Sequence, residues 1–171
     1  GFNGGSQLAL GSALDSVAIS NIFINTNLAA AAGVMFAMIT SQILFGKVDI
    51  VTALNGAIGG LVAITAEPLA PSIGAAVFIG GVGGILVALS TPLLLKMKID
   101  DVVGAIPAHL VCGIWGTMIV PLTNGDASYF GQFMGVISVA IFAFIASFIT
   151  WTVLKYTIGL RVTVEDELAG M

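Results

Sequence analysis

Five windows of this chain contain no Asp, Glu, Lys or Arg: 16–46, 50–66, 68–95, 102–125 and 127–154. A bilayer core of about 30 Å is crossed by roughly 20 apolar helical residues at ~1.5 Å each. Each window is near or above that length, 50–66 being the shortest. Strands of a membrane barrel alternate polar and apolar residues over about ten positions, whereas these windows are continuously apolar. Helices are therefore the expected element, since they satisfy their backbone groups within one segment. The windows predict five transmembrane helices, at 15–46, 49–67, 72–97, 102–122 and 127–158, within a bundle over 7–158.

Composition supports the same solvent. Of the 171 residues, 58% are hydrophobic and 8% charged, against about 25% charged in a soluble domain. A net charge of −4 carried in connecting segments offers no basic surface for nucleic acid. The single cysteine, Cys112, excludes an intrachain disulfide and a cysteine-built metal site. There is no nucleophile–base pair, metal-ligand cluster or phosphate loop, so neither an enzyme nor a cofactor is expected. The chain opens at Gly1 without an initiator methionine or a basic segment leading into an apolar core. It reads as beginning partway through something larger, not as a signal peptide.

The cations give an orientation. Lys47 follows the first window, Lys96 and Lys98 the third, and Lys155 and Arg161 the fifth. The alternate connections hold Glu67 and Asp126. Five alternating helices put every cation on one side, which the positive-inside tendency makes cytoplasmic. The C-terminus is then cytoplasmic and the N-terminus outside.

Glycines recur at helix-packing intervals, Gly56 with Gly60 and Gly80 with Gly84. Such pairs let helix backbones approach closely in lipid. Pro92 and Pro107 lie inside apolar windows, where each removes a backbone hydrogen bond.

His109 is the only histidine, within DVVGAIPAHLVCGIWG at 101–116. Ionisable groups inside a membrane are costly and mostly line pathways or relays. The structural alternative is an imidazole bonded to the carbonyl that Pro107 leaves free. A neutral ring donates through one nitrogen and accepts through the other, which suits a small polar passenger or a proton. Cys112 and Gly113 fall on the same helical face, leaving small groups beside the ring; Cys112 is expected to pack, as is Trp115. Phe2 and Ser6 stand one helical turn apart in GFNGGS, an aromatic face and a hydroxyl that together attract a cation. Asn21, Asn25, Thr26 and Asn27 are expected to hydrogen-bond between helices.

These residues carry a resemblance. IDDVVGAIPAHLVCGIWG at 99–116 resembles the Asp-Asp, Gly-Ala and His-x-x-Cys-Gly signature of the Amt/Mep/Rh ammonium transporter family. GFNGGS at 1–6 is similar to the end of that family's sixth transmembrane helix, and TIGLRVTVEDELAGM at 157–171 to the start of its cytoplasmic tail, here 159–171. The resemblance implies an all-α membrane protein: the second inverted-repeat half plus the final helix of an eleven-helix fold, assembled as a homotrimer. It implies that His109 is one of two pore histidines and Phe2 one of two stacked gating phenylalanines. By the same resemblance Ser6 is the hydroxyl at an outer ammonium site, and Asp101 an aspartate at the start of the histidine helix, where a carboxylate complements the helix dipole. Leu110 stands where the family commonly has glycine.

The function implied is ammonium transport across a plasma membrane, the cytoplasmic membrane of a prokaryote. Ammonium is recruited at the outer mouth, and ammonia passes along a hydrophobic, histidine-lined pore. Expected partners are ammonium or ammonia, the lipid bilayer, two further copies of the protein, a missing N-terminal half of the same protein, and a PII-type cytoplasmic regulator. The alternatives are an ammonium-sensing membrane domain of a signalling protein, and an unrelated transporter half whose histidine relays protons.

Overall fold

The structure, a computed structural model, describes residues 1–170. It divides into two compact units, Gly1–Gln132 and Phe133–Met171. The described elements are helices: α1 (Phe2–Gly5), α2 (Ala13–Phe45), α3 (Ile50–Thr65), α4 (Ile73–Lys96), α5 (Ile106–Thr123), α6 (Tyr129–Thr157) and α7 (Val164–Ala169). The first six residues of α5, Ile106–Val111, form a π-helical turn.

Four of these helices, α2, α4, α5 and α6, are long and apolar enough to cross a membrane. The fifth expected span, 49–67, is a shorter helix. With 16 residues, α3 rises only ~24 Å. Its limits are set by local chemistry. Asp49 caps the start, its carboxylate accepting from the Thr52 amide at 2.8 Å and the Thr52 hydroxyl at 2.9 Å; these two bonds, with the charge of Lys47, hold the Asp49 carboxyl below its ordinary range. Beyond Thr65, the Glu67 carboxylate takes the amides of Leu69 and Ala70, and Pro68 disfavours helical geometry at the residue before it.

The helix expected from 102 begins instead at Ile106. Gly104 adopts φ +75°, a left-handed conformation that ends any helical run through it. Asp101 then serves the new start, accepting from the Ala105 and Ile106 amides at 2.8 Å each. Pro107 consequently falls in the first turn of α5, where its missing N–H costs no helical bond, and not inside a span as the apolar window suggested.

In the first unit, α2, α3 and α4 pack mutually, α3 and α4 both clasping α2 and pressing on each other through Gly59 and Gly83. The spaced glycines make the clasp. A Cβ added at Gly60 would meet Ala29 C at 2.9 Å, and one at Gly80 would meet the same carbon at 2.6 Å. One turn further along α2, Gly33 lies between Gly56 and Gly84 in the same way. Backbones pressed this closely replace hydrophobic driving force with dispersion contact, the packing that operates in lipid. Around the clasp Ala29, Ala63, Ile64, Ala76 and Ile79 form the core, with Trp115 and Ile119 against it.

Side-chain amides secure the loops. Buried Asn25 donates to the carbonyls of Pro68 and Pro71 at 3.1 and 2.8 Å. Asn124 donates to Glu67 at 2.9 Å. Asn3 donates to the Thr26 hydroxyl at 3.1 Å, docking α1 on α2. At the opposite end Ser41, Phe45, Lys47, Asp49, Thr52, Pro92 and Leu95 surround a hollow of about 170 Å³. The end of α2, the start of α3 and the end of α4 therefore share one side of the bundle. The apolar α6, which belongs to the second unit from Phe133 onward, buries none of its residues; in that unit Thr163 caps α7 through the Asp166 amide at 3.2 Å.

Candidate functional site

The helix α5 runs beside α3 in the same direction. Gly104 abuts Asn55, Cys112 abuts Gly59, and Gly116 abuts the Ala63 backbone. His109 lies between the first two of these contacts, so its backbone is level with the middle of α3 although it is only the fourth residue of α5.

Its surroundings are fixed on both sides in sequence. Pro107 and Ala108 are buried, while His109 and Leu110 are exposed. The Cys112 amide donates to the carbonyls of both Pro107 and His109; the first is the long-reach bond that defines a π turn. The Cys112 thiol donates to the Gly83 carbonyl at 3.3 Å and is fully buried. Trp115 donates to the Ile79 carbonyl at 3.0 Å and meets Phe78 edge-on at 6.1 Å. Cys112 and Trp115 are thus packing residues that bind α5 to α4.

His109 opens onto a cleft of about 510 Å³, lined by Phe2, Val62, Thr65, Ala66, His109, Gly113 and Thr117. The walls come from α1, the last turn of α3 and its following residue, and one stripe of α5. His109, Gly113 and Thr117 follow one another at four-residue intervals, which keeps them on one helical face. Gly113 has open space beside it, the nearest atom to an added Cβ being Val62 Cγ1 at 3.8 Å. The Thr65 hydroxyl donates back to the Leu61 carbonyl at 2.6 Å. The cleft is mainly hydrocarbon, with one imidazole and two hydroxyls as its polar side-chain groups.

Phe2 of α1 and His109 of α5 thus line one cavity. Phe2 is 84% exposed, its ring standing at the rim. Ser6 does not line the cleft; it is exposed at the C-terminal cap of α1. Asp101 is also apart from it, lining a separate hollow of about 30 Å³ with Gly104 and Pro107. Thr117 could have been found by extending the His109–Gly113 stripe one more turn. Val62 and Thr65 could not, because only the register of α3 on α5 brings them there. Among the described residues, no cluster of three or more His, Cys, Asp or Glu could hold a metal ion.

The profile of the Ammonium Transporter Family matches residues 1–171. A Synechocystis protein with a provisional ammonium-transporter name is 41% identical over the whole chain, which covers 40% of that protein. Ammonium transporter Amt2 of Archaeoglobus fulgidus is 35% identical, again over the whole chain and 40% of its own length. Among solved structures, a chain named Sensor Amt Protein superimposes with a TM-score of 0.88 at 31% identity, over 98% of this chain and 43% of that one. The delta442 mutant of Mep2 from Candida albicans gives 0.78 at 25% identity, over 90% and 42%. The chain therefore spans about 40% of the length of the curated relatives it matches.

Proposed function

The chain belongs to the ammonium transporter family, and from that premise we propose that its cleft is one wall of a pore conducting ammonium or ammonia across the plasma membrane. The observation that carries the reading is the convergence of Phe2 and His109 on one apolar cavity. A bare ammonium ion entering hydrocarbon faces a large desolvation penalty. Ammonia is neutral and needs only a few hydrogen-bond partners. Phe2 at the rim offers a ring face to a cation, worth about 0.5–1 kcal/mol where exposed. Beyond it the cleft is dry-walled, and His109 offers the passenger a partner without a fixed charge.

The opposite wall, in this reading, is the first half of the same polypeptide, because sites in inverted-repeat transporters form between the repeats. Ser6, exposed at the end of α1, would meet ammonium before the cleft, and Asp101 would act only through the start of α5. The assembly is a homotrimer in a prokaryotic cytoplasmic membrane, with the cation-bearing loops and the C-terminal tail inside, where a PII-type regulator would bind.

The test is flux and ion selectivity of the full-length protein in proteoliposomes, with His109→Ala and His109→Glu, and trimer assembly checked in parallel. Loss of one hydrogen bond of about 1.4 kcal/mol changes passage by roughly tenfold. His109→Ala should lose selectivity for ammonia over hydrated ions while still assembling, and His109→Glu should alter conduction by adding charge. Wild-type flux and selectivity in both would reduce His109 to packing.

The likeness to Sensor Amt Protein favours ammonium sensing as the second reading. Binding of ammonium without net flux by the full-length wild type would select it.

A further inference from the structure

We propose that Asn55 is a positioning residue for His109, acting through the Val103–Gly104 turn. The proposal rests on the pore reading of the cleft.

Asn55 belongs to α3 and is 8% exposed. Its amide nitrogen donates to the Val103 carbonyl at 2.8 Å, across a sequence separation too long for any local turn. Gly104, the next residue, has φ +75° and lies so close that any side chain there would displace the Asn55 amide. The Gly104 carbonyl then accepts from the Ala108 amide at 3.2 Å. Asp101 secures the same turn from its own strand of chain, through Ala105 and Ile106. His109 follows directly after Ala108, inside the π turn.

A π turn is rare, occurring mostly as a single-turn bulge within an α-helix and often at a functional site. Here it is held at its far end by the Cys112 thiol on Gly83 of α4. At its near end the only tie from another helix, among the described hydrogen bonds, is Asn55. That tie comes from the helix that also supplies Val62 and Thr65 to the cleft. With the Cys112–Gly59 and Gly116–Ala63 contacts further along, the Asn55 amide anchors the start of α5 against α3, and with it the place of the imidazole relative to Val62 and Thr65. Asn55 does not line the cleft, so it acts through His109 and not on the passenger.

The experiment uses the full-length protein in proteoliposomes and measures ammonium-over-potassium selectivity per assembled trimer. The variants are Asn55→Ala and Asn55→Leu, each alone and combined with His109→Ala. Asn55→Leu keeps roughly the volume but has no group to donate to Val103. A misplacement of about 1 Å is enough to degrade a positioned group substantially, so each single variant should lose selectivity by roughly tenfold. In the His109→Ala background the same variants should add nothing, since a residue that acts through another is non-additive with it. Asn55→Ser, which keeps a donor in less volume, substitutes for any variant that fails to assemble and should fall between wild type and Asn55→Ala. Wild-type selectivity in the assembled single variants overturns the proposal, as does a loss that multiplies with that of His109→Ala. Unchanged selectivity in His109→Ala alone would instead overturn the pore reading itself.

Discussion

The clasp around α2 and the cleft beside α5 each place a glycine in a stripe of four-residue spacing, and these glycines do opposite things. At Gly60 the space a methyl would need is taken by the Ala29 backbone, whereas at Gly113 the nearest atom is a Val62 methyl at an ordinary contact distance of 3.8 Å. The first glycine is small so that two helices can touch. The second is small and leaves room beside a polar ring. Spacing alone does not separate these cases; what occupies the missing side chain's place does. The clasp is also complete within this chain, with buried alanines and glycines on all three helices, while the cleft presents Phe2 and His109 to an open side.

The largest effect should come from filling the clasp. Gly60→Ala drives a methyl into the backbone of Ala29 and Ala30, atoms that no rotamer change can move aside. Overpacking of cores costs about 1–3 kcal/mol where side chains can yield, and the rigid backbone here puts the cost at about 3 kcal/mol or more. Thermal unfolding of the full-length protein in detergent should show a sharply lowered midpoint or no assembled protein. A midpoint equal to wild type would mean that the helices separate easily, and the contrast with the cleft would fail.

A smaller loss is expected at the end of the clasp, where Asn25 holds the loop between α3 and α4. Asn25→Ala leaves the Pro68 and Pro71 carbonyls without the donor they share. Buried groups stripped of a partner cost about 1–3 kcal/mol. The same melting measurement reads it, with ammonium flux of the surviving protein unchanged, because Asn25 does not line the cleft. A flux defect without a stability defect would place Asn25 on the conduction side of the comparison.

The two regions also differ in how far the sequence discloses them. Charge-free windows and glycine pairs are properties of single helices, so α2, α4 and the Gly56–Gly60 and Gly80–Gly84 pairs can be anticipated, whereas Gly33, which they meet, cannot. Helix ends depend on caps and turns. The start of α5 at Ile106 followed from Gly104 and Asp101 acting together, and a hydropathy window registers neither. The π turn around His109 leaves no periodic trace either. Within the cleft, His109 and Phe2 were accessible through family resemblance and Gly113 through its spacing, but Val62 and Thr65 depend on how α3 is seated against α5. Asn55 stands as an amide in an apolar window, yet its partner Val103 comes from a turn beyond α4 in the sequence, brought to it only by the fold. Tertiary register, not local pattern, carries that information.

The smallest effect on stability, and the sharpest on the comparison, is expected at Gly113. Alanine there meets only Val62 at van der Waals distance, and replacing a helical glycine by alanine stabilises by about 0.4–1 kcal/mol where the backbone is compatible. The melting midpoint of Gly113→Ala should therefore stay level or rise slightly, opposite in sign to Gly60→Ala. The added methyl enters the cleft one turn from His109 on the same face, so ammonium flux in proteoliposomes should fall even as the protein becomes no less stable. If Gly113→Ala destabilised the full-length protein as Gly60→Ala does, the cleft would be a packing surface filled by another part of the molecule. Its small residues would then serve contact, as those of the clasp do.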